Sequence, residues 1–234
     1  MNCTAARRVV AVVAAGTLVV GCSRAVPGRM AAPSVPAGGP QIAAPGLAPL
    51  LLTDEQLRTV MASPAMATYK TYGELEDDRS VNFTMGDPVC VTAMWNAITQ
   101  SYRGSGDQAV AGRQISEPGE HPDHDVDEAV VLFKNADQAQ RHLDQSMVTW
   151  QRCAGKRQRY QIEGRRIETW SVGIPADVGP DIVVRNSEEA GDGYVCQRVM
   201  RAVGNVVIDA WACGRDITDQ GRVIVDDIAA QVHQ

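Results

Sequence analysis

The stretch that decides the fold is Tyr194-Val195-Cys196-Gln197-Arg198-Val199-Met200-Arg201-Ala202-Val203, then Gly204-Asn205, then Val206-Val207-Ile208-Asp209-Ala210-Trp211-Ala212-Cys213. Two runs rich in β-branched residues flank a two-residue, glycine-led turn, which is a strong short-range signal for a β-hairpin. A loop of that length sets Val203 opposite Val206, and counting outward sets Cys196 opposite Cys213. Alternation makes the cysteines a non-hydrogen-bonded pair, with Cα atoms about 4.5 Å apart. That spacing lies at the short end of what a disulfide spans. The hairpin is therefore predicted to be stapled, which suits an oxidising compartment.

The N-terminus agrees with export. Arg7-Arg8 precede an apolar run from Val9 to Val20 that is of signal-peptide length and short for a membrane span. The run ends in Val19-Val20-Gly21-Cys22, which resembles a bacterial lipobox. Residues 1–21 then form a signal peptide, and Cys22 is diacylated to become the mature N-terminus. Two acyl chains give lasting attachment where one is marginal. The expected location is the extracytoplasmic face of the cell membrane. From Ser23 to Pro49 the chain is Pro, Ala and Gly, with prolines at 27, 33, 36, 40, 45 and 49. Residues 22–49 are expected to be a disordered tether, with one domain over 50–234.

Within that domain, Thr53-Asp54-Glu55-Gln56 has capping-box form and opens a first helix through Leu57, Val60 and Met61. Tyr69 to Leu75 is a short strand or irregular segment. Asp87-Pro88 predicts the cap and first residue of a second helix running to about Tyr102. Ala109 to Ser116 and Val126 to Phe133 suggest strands. Asn135 caps a third helix whose stripe is Ala136, Ala139, Leu143, Met147, Trp150 and Cys153, with Gly155 as its stop. Strands at Arg159 to Glu163, Arg165 to Ile174 and Asp181 to Ser187 lead into the hairpin, and a last helix covers Thr218 to Val232. Consecutive strands with helices packed on them indicate an α+β antiparallel meander rather than a βαβ winding.

Once Cys3 leaves with the signal and Cys22 is lipidated, four cysteines remain and allow three pairings. The hairpin register selects Cys196–Cys213, and Cys90–Cys153 follows by elimination, pinning two helices together. Free buried thiols or metal ligands are the competing assignment. Zinc is disfavoured because no CxxC is present.

The lipobox, the Pro/Ala tether, Leu51-Leu52-Thr53-Asp54-Glu55-Gln56-Leu57, Trp150-Gln151-Arg152-Cys153 and the Cys196/Cys213 hairpin together resemble the PknH-like extracellular sensor-domain family. In that family the domain occurs on the outer side of mycobacterial serine/threonine kinases and alone in lipoproteins. The resemblance implies a twisted, largely antiparallel sheet with flanking helices, two sequential disulfides and a deep cleft proposed to bind a ligand. It supplies neither catalytic residues nor a ligand.

Chemistry-bearing motifs are few. A net charge of −6 without a Lys/Arg block disfavours nucleic acid. The loop Glu117-Pro118-Gly119-Glu120-His121-Pro122-Asp123-His124-Asp125 holds possible metal ligands without a helical spacing such as HExxH, and is expected to be a solvated, flexible loop with no metal. No GxSxG is present, and Gly191-Asp192-Gly193 leads into a strand, where phosphate finds no helix amides. The carboxylate pairs Asp77-Asp78, Glu188-Glu189 and Asp226-Asp227 are expected on the solvated surface. In the hairpin, Arg198 faces Trp211 with Asp209 diagonal to it, an arrangement that forms a cation–π pair or lines a ligand groove. The expected function is that of a non-enzymatic, cofactor-free lipoprotein binding a small molecule or envelope component. The second candidate is an interaction module docking on an envelope protein or receptor kinase.

Overall fold

The computed structural model describes residues 39–77, 81–119, 122–162 and 166–233. Cys22, the lipobox and most of the expected tether lie outside them. Among the described residues the fold is α+β, built on one large antiparallel sheet. Its strands are β1 (Ala67–Tyr72), β2 (Val81–Met85), β3 (Asp107–Ser116), β4 (Asp125–Phe133), β5 (Arg157–Ile162), β6 (Ile167–Ser171), β7 (Ala176–Val178), β8 (Asp181–Glu188), β9 (Val195–Val203) and β10 (Val206–Gly214). The helices are α1 (Asp54–Val60), α2 (Thr99–Tyr102), α3 (Ala136–Cys153) and α4 (Gln220–Val232). The strand order is β1-β3-β4-β10-β9-β8-β6-β5-β2, with β7 pairing β8 off that path.

The β9–β10 hairpin lies in the middle of the sheet, with β8 on one side and β4 on the other. Its register sets Val203 against Val206 and Cys196 against Cys213. Gly204 takes the positive φ of the turn, at 54°. A Cβ at that glycine would stand 2.2 Å from the Pro40 carbonyl oxygen, so only glycine fits there. Helices cover both faces. On one face Val199, Val206, Ile208 and Val130 pack under α1 and α4 through Leu57, Ile224, Val225 and Ile228. On the other, Met200, Val207, Ala129 and Val131 pack under α3 through Leu143 and Trp150. Burial on both faces explains why the central strands read as nearly continuous apolar runs.

Thr53 caps α1 in a full capping box with Gln56, and Asn135 caps α3. Disulfides join Cys90 to Cys153 and Cys196 to Cys213, the latter with Cα atoms 4.0 Å apart.

Four expectations need correction. The helix predicted over Asp87 to Tyr102 is instead a 3-10 helix, Pro88–Ala93, then an irregular stretch and the single turn of α2. Ala97 has a φ of 46°, held there because its N–H donates to the Asp209 carboxylate at 3.0 Å. The Asn96 amide meanwhile bonds Asp127 and the Asp209 carbonyl. Tertiary hydrogen bonds thus override a helical pattern. Second, ordered structure begins before Leu50. Pro45 and Pro49 start two short 3-10 turns, Ala44–Gly46 and Ala48–Leu50, which bury Leu47 and Leu50. The Asn205 side chain grips Ile42 through two hydrogen bonds at 2.8 and 2.9 Å. Third, β2 is an edge strand that the sequence patterning did not signal. Fourth, the strand expected over Arg165 to Ile174 is shorter as β6, and β7 follows Pro175. The Glu163-Gly164 connection lies outside the described residues.

Candidate functional site: an aromatic cleft on the sheet

On the α3 side, one end of the sheet lies at the cysteine end of the hairpin, where Asn186 and Ser187 of β8 pair Cys196 and Val195. β6 pairs β8 only through Trp170↔Glu188 and Ser171↔Ser187. A cleft of about 900 Å³ occupies this end, and no α3 residue lines it. The Cys196–Cys213 bridge and Trp211 contribute from the hairpin. Tyr160 comes from β5, Glu168 and Trp170 from β6, Asn186 and Glu188 from β8. The rim is made by Trp95, the turn around Gly191 and Asp192, Arg215, and Gly119 and Pro122 of the β3–β4 loop. Three of the four tryptophans and two of the five tyrosines of the chain are gathered here.

Strand alternation puts Glu168 and Trp170 on one face. The Glu168 carboxylate accepts from Trp170 Nε1 at 2.9 Å and from the Tyr160 hydroxyl at 3.2 Å. These bonds fix the polar tips of two rings. Trp95 meets Tyr160 edge to face at 5.0 Å, and Trp170 meets Tyr194 likewise at 6.3 Å. Trp211 is half-buried, and its indole N–H has no hydrogen-bond partner among the described residues. Arg166 reaches Glu188 at 2.6 Å, and Arg215 reaches Asp123 at 2.6 Å. Burial holds the Glu188 carboxyl above its ordinary pKa, against the pull of Arg166 and with reinforcement from Glu168. Glu188 therefore belongs to the cleft rather than to the solvated surface expected of it. Glu189 does face outward, paired with Arg157.

Of the two residues suggested for a ligand groove, Trp211 lines the cleft and Arg198 does not. Register sets them opposite each other as expected. The Arg198 side chain, however, is fully buried and stacks over Trp150 of α3, with Cζ 4.7 Å from the ring centre. Its Nε and Nη2 donate to Asp209 at 3.0 and 2.9 Å, and Nη1 donates to the Thr92 carbonyl. Asp209 also accepts from the Tyr102 hydroxyl at 2.9 Å. A desolvated guanidinium needs such partners, and Asp209 of β10, Thr92 of the 3-10 helix and Trp150 of α3 supply them. Arg198 is a structural tie between the hairpin and its cover. His142 lies in the same layer, stacked on Tyr102 at 4.4 Å with Nε2 unpartnered, and burial pushes its pKa down to about 4.

The β3–β4 loop is not simply solvated. His124 Nδ1 contacts Glu117 at 2.7 Å and Nε2 contacts Asp216 at 2.9 Å. Glu117 in turn accepts from the Ser63 hydroxyl. Burial opposes the imidazolium, but the hydrogen bonds to Glu117 and Asp216 leave its pKa above the ordinary value. Glu120 and His121 lie outside the described residues. Among the described residues no group of three or more His, Cys, Asp or Glu side chains could hold a metal ion. Nor is any helix among them long and apolar enough to cross a membrane.

What sequence reasoning missed is the cleft's aromatic lining. Trp95, Tyr160 and Trp170 come from segments far apart in the chain. The one local signal was Glu168-Thr169-Trp170 on an alternating strand. Trp95 carried none, because it fell inside the expected helix.

Comparison with known proteins places this geometry in context. Residues 42–231 match the model of the PknH-like extracellular domain. The serine/threonine-protein kinases PknH of Mycobacterium bovis and Mycobacterium tuberculosis are each 32% identical over 188 residues, 80% of this chain. The aligned part is 31% and 29% of those kinases, so this chain spans about a third of their length. The crystal structure of the extracellular domain of PknH from Mycobacterium tuberculosis superposes with a TM-score of 0.77 at 32% identity, covering 83% of this chain and 98% of that one. A disulfide-bonded sheet with a central stapled hairpin and helices on both faces, matched over most of its length by that model, makes this chain a member of the PknH-like extracellular domain family.

Proposed function

We propose that the protein is an extracytoplasmic lipoprotein, anchored through Cys22, whose non-catalytic domain binds a small molecule or envelope component in the aromatic cleft. The observation that carries this is the gathering of three of four tryptophans around one open cavity of about 900 Å³. Small-molecule sites are lined mainly by apolar and aromatic side chains with a few placed polar groups, the composition found here. The cavity volume falls within the ~300–1,000 Å³ of small-molecule sites. The family assignment supports an extracellular setting, and the lipobox supports the anchor. Docking on another envelope protein has less support. The most exposed of the large apolar side chains among the described residues, Tyr69, Val148 and Ile174, come from separate segments of the chain.

Two measurements test the proposal. Mass spectrometry of the protein isolated from its native membrane should find a diacylated Cys22 at the N-terminus; an uncleaved, unmodified N-terminus removes the anchor. Thermal-shift screening against envelope lipids, glycans and nucleotides should give a stabilising class whose effect is lost in Trp211→Ala. Co-purification of one protein with no shift by any class would favour the docking module instead.

A further inference from the structure

The chemistry of the cleft wall narrows the ligand, on the reading that the cleft is a binding site. Among the described residues, four carboxylates line it, from Asp125, Glu168, Glu188 and Asp192, against the two guanidiniums of Arg166 and Arg215. Each guanidinium is already held by a carboxylate, Glu188 or Asp123, at 2.6 Å. A phosphate, sulfate or carboxylate entering here would meet net negative potential and cations that are already engaged. An acyl chain fares no better, because it needs dry apolar walls and these rings are interleaved with charged groups.

The wall alternates aromatic area with hydrogen-bonding groups, and that alternation is also the surface of a sugar. One side of a pyranose presents polarised C–H bonds, which suit the negative face of an aromatic ring. Its edge presents hydroxyls that both donate and accept. Glu168 and Asp192 accept hydroxyl protons, and Arg166, its side chain about half exposed, donates. The half-buried rings rest on fixed ones: Trp170 and Tyr160, buried and tied through Glu168, form the floor, and Trp95 packs edge to face on Tyr160. Fixed platforms lose little conformational freedom on binding. A volume of about 900 Å³ admits more than one sugar ring.

We propose that the cleft is a recognition site for an uncharged glycan, with Trp211 and Trp95 as stacking platforms and Glu168, Asp192 and Arg166 as hydroxyl partners.

The test uses the mature lipoprotein in detergent micelles on a glycan array. The array carries neutral oligosaccharides beside their carboxylated and phosphorylated forms, with inorganic phosphate, palmitate and spermine as separate soluble probes. Neutral glycans should be retained. A phosphorylated form of the same glycan should bind at least tenfold more weakly at low ionic strength, with the gap narrowing as salt screens the cleft. Trp211→Ala should weaken neutral-glycan binding at least tenfold, while Val148→Ser on the outer side of α3 leaves it unchanged. Trp95→Leu serves as the second cleft variant if Trp211→Ala melts early. Tighter, Trp211-dependent binding of a phosphorylated glycan, phosphate, palmitate or spermine would overturn the glycan assignment while leaving the cleft as a binding site. Absence of Trp211-dependent binding by every probe would remove the cleft reading as well.

Discussion

Replacing Asp209 with Ala isolates the buried tie at the centre of the fold. Asp209 accepts four hydrogen bonds, from Arg198 Nε and Nη2, the Tyr102 hydroxyl and the Ala97 N–H, at 2.9–3.0 Å. Both ion-pair side chains are fully buried. Removing the carboxylate leaves a guanidinium in the core with only the Thr92 carbonyl and the Trp150 face, and frees a hydroxyl and an amide. Breaking one partner of such a pair costs about 3–5 kcal/mol. At a urea m-value of about 2 kcal/mol/M, the unfolding midpoint should fall by roughly 1.5–2.5 M. Equilibrium urea unfolding of the oxidised protein, followed by far-ultraviolet circular dichroism, reads this directly. The double variant Arg198→Met/Asp209→Leu removes both charges and should recover most of the loss, since apolar replacements of buried pairs are often neutral. A midpoint for Asp209→Ala within about 0.5 M of wild type, a shift of roughly 1 kcal/mol, would refute the structural role given to Arg198.

Two further outcomes follow from the same core. His142 titrates near pH 4 when folded and near 6.5 when unfolded. The unfolded chain therefore binds the extra proton between those values, and stability should fall by up to about 3 kcal/mol as pH drops through that window. Asp127, pushed up to about 7 by burial, acts in the opposite sense, its stabilisation lost as pH rises from about 4 towards 7. The contribution of His142 is therefore read by comparing His142→Phe with wild type between pH 4 and 6.5: the variant should lack the acid-side fall, and parallel profiles would contradict the assignment. Between the disulfides, Cys90–Cys153 closes a separation of 63 residues and Cys196–Cys213 one of 17. Chain entropy assigns them about 4 and about 3 kcal/mol. Paired Cys→Ala variants should thus melt in that order, the Cys90/Cys153 pair lower; the reverse order would show that local hairpin constraint outweighs loop length.

The hairpin was the most legible part of the sequence because its register depends only on local geometry, a two-residue glycine turn and the alternation of two strands. The caps at Thr53 and Asn135 were legible for the same reason, since a cap is a local hydrogen bond. Asp87 to Tyr102 was misread because the Asn96 side-chain amide and the Ala97 backbone N–H go to Asp127 and Asp209, partners that lie at a distance in sequence and are set by strand pairing. Arg198 shows the limit at the level of side chains. Register placed it beside Trp211, but register says nothing about what covers the face, and Trp150 of α3 is what the guanidinium meets. The cleft was out of reach because its aromatic rings converge from β5, β6, β10, the turn before β9 and the segment after the 3-10 helix, and no spacing rule connects those segments.

The central claim is that ligand is received by the aromatic cleft and that the Arg198 layer stays sealed. The four indole N–H resonances in a two-dimensional nitrogen–proton spectrum, assigned by single Trp→Phe variants, report both parts during titration with a neutral oligosaccharide retained on the array. Trp95, Trp170 and Trp211 should shift with one common affinity, while Trp150, 1% exposed on the inner face of α3, stays in place. A titration that moves Trp150 and leaves the other three unchanged would contradict the account.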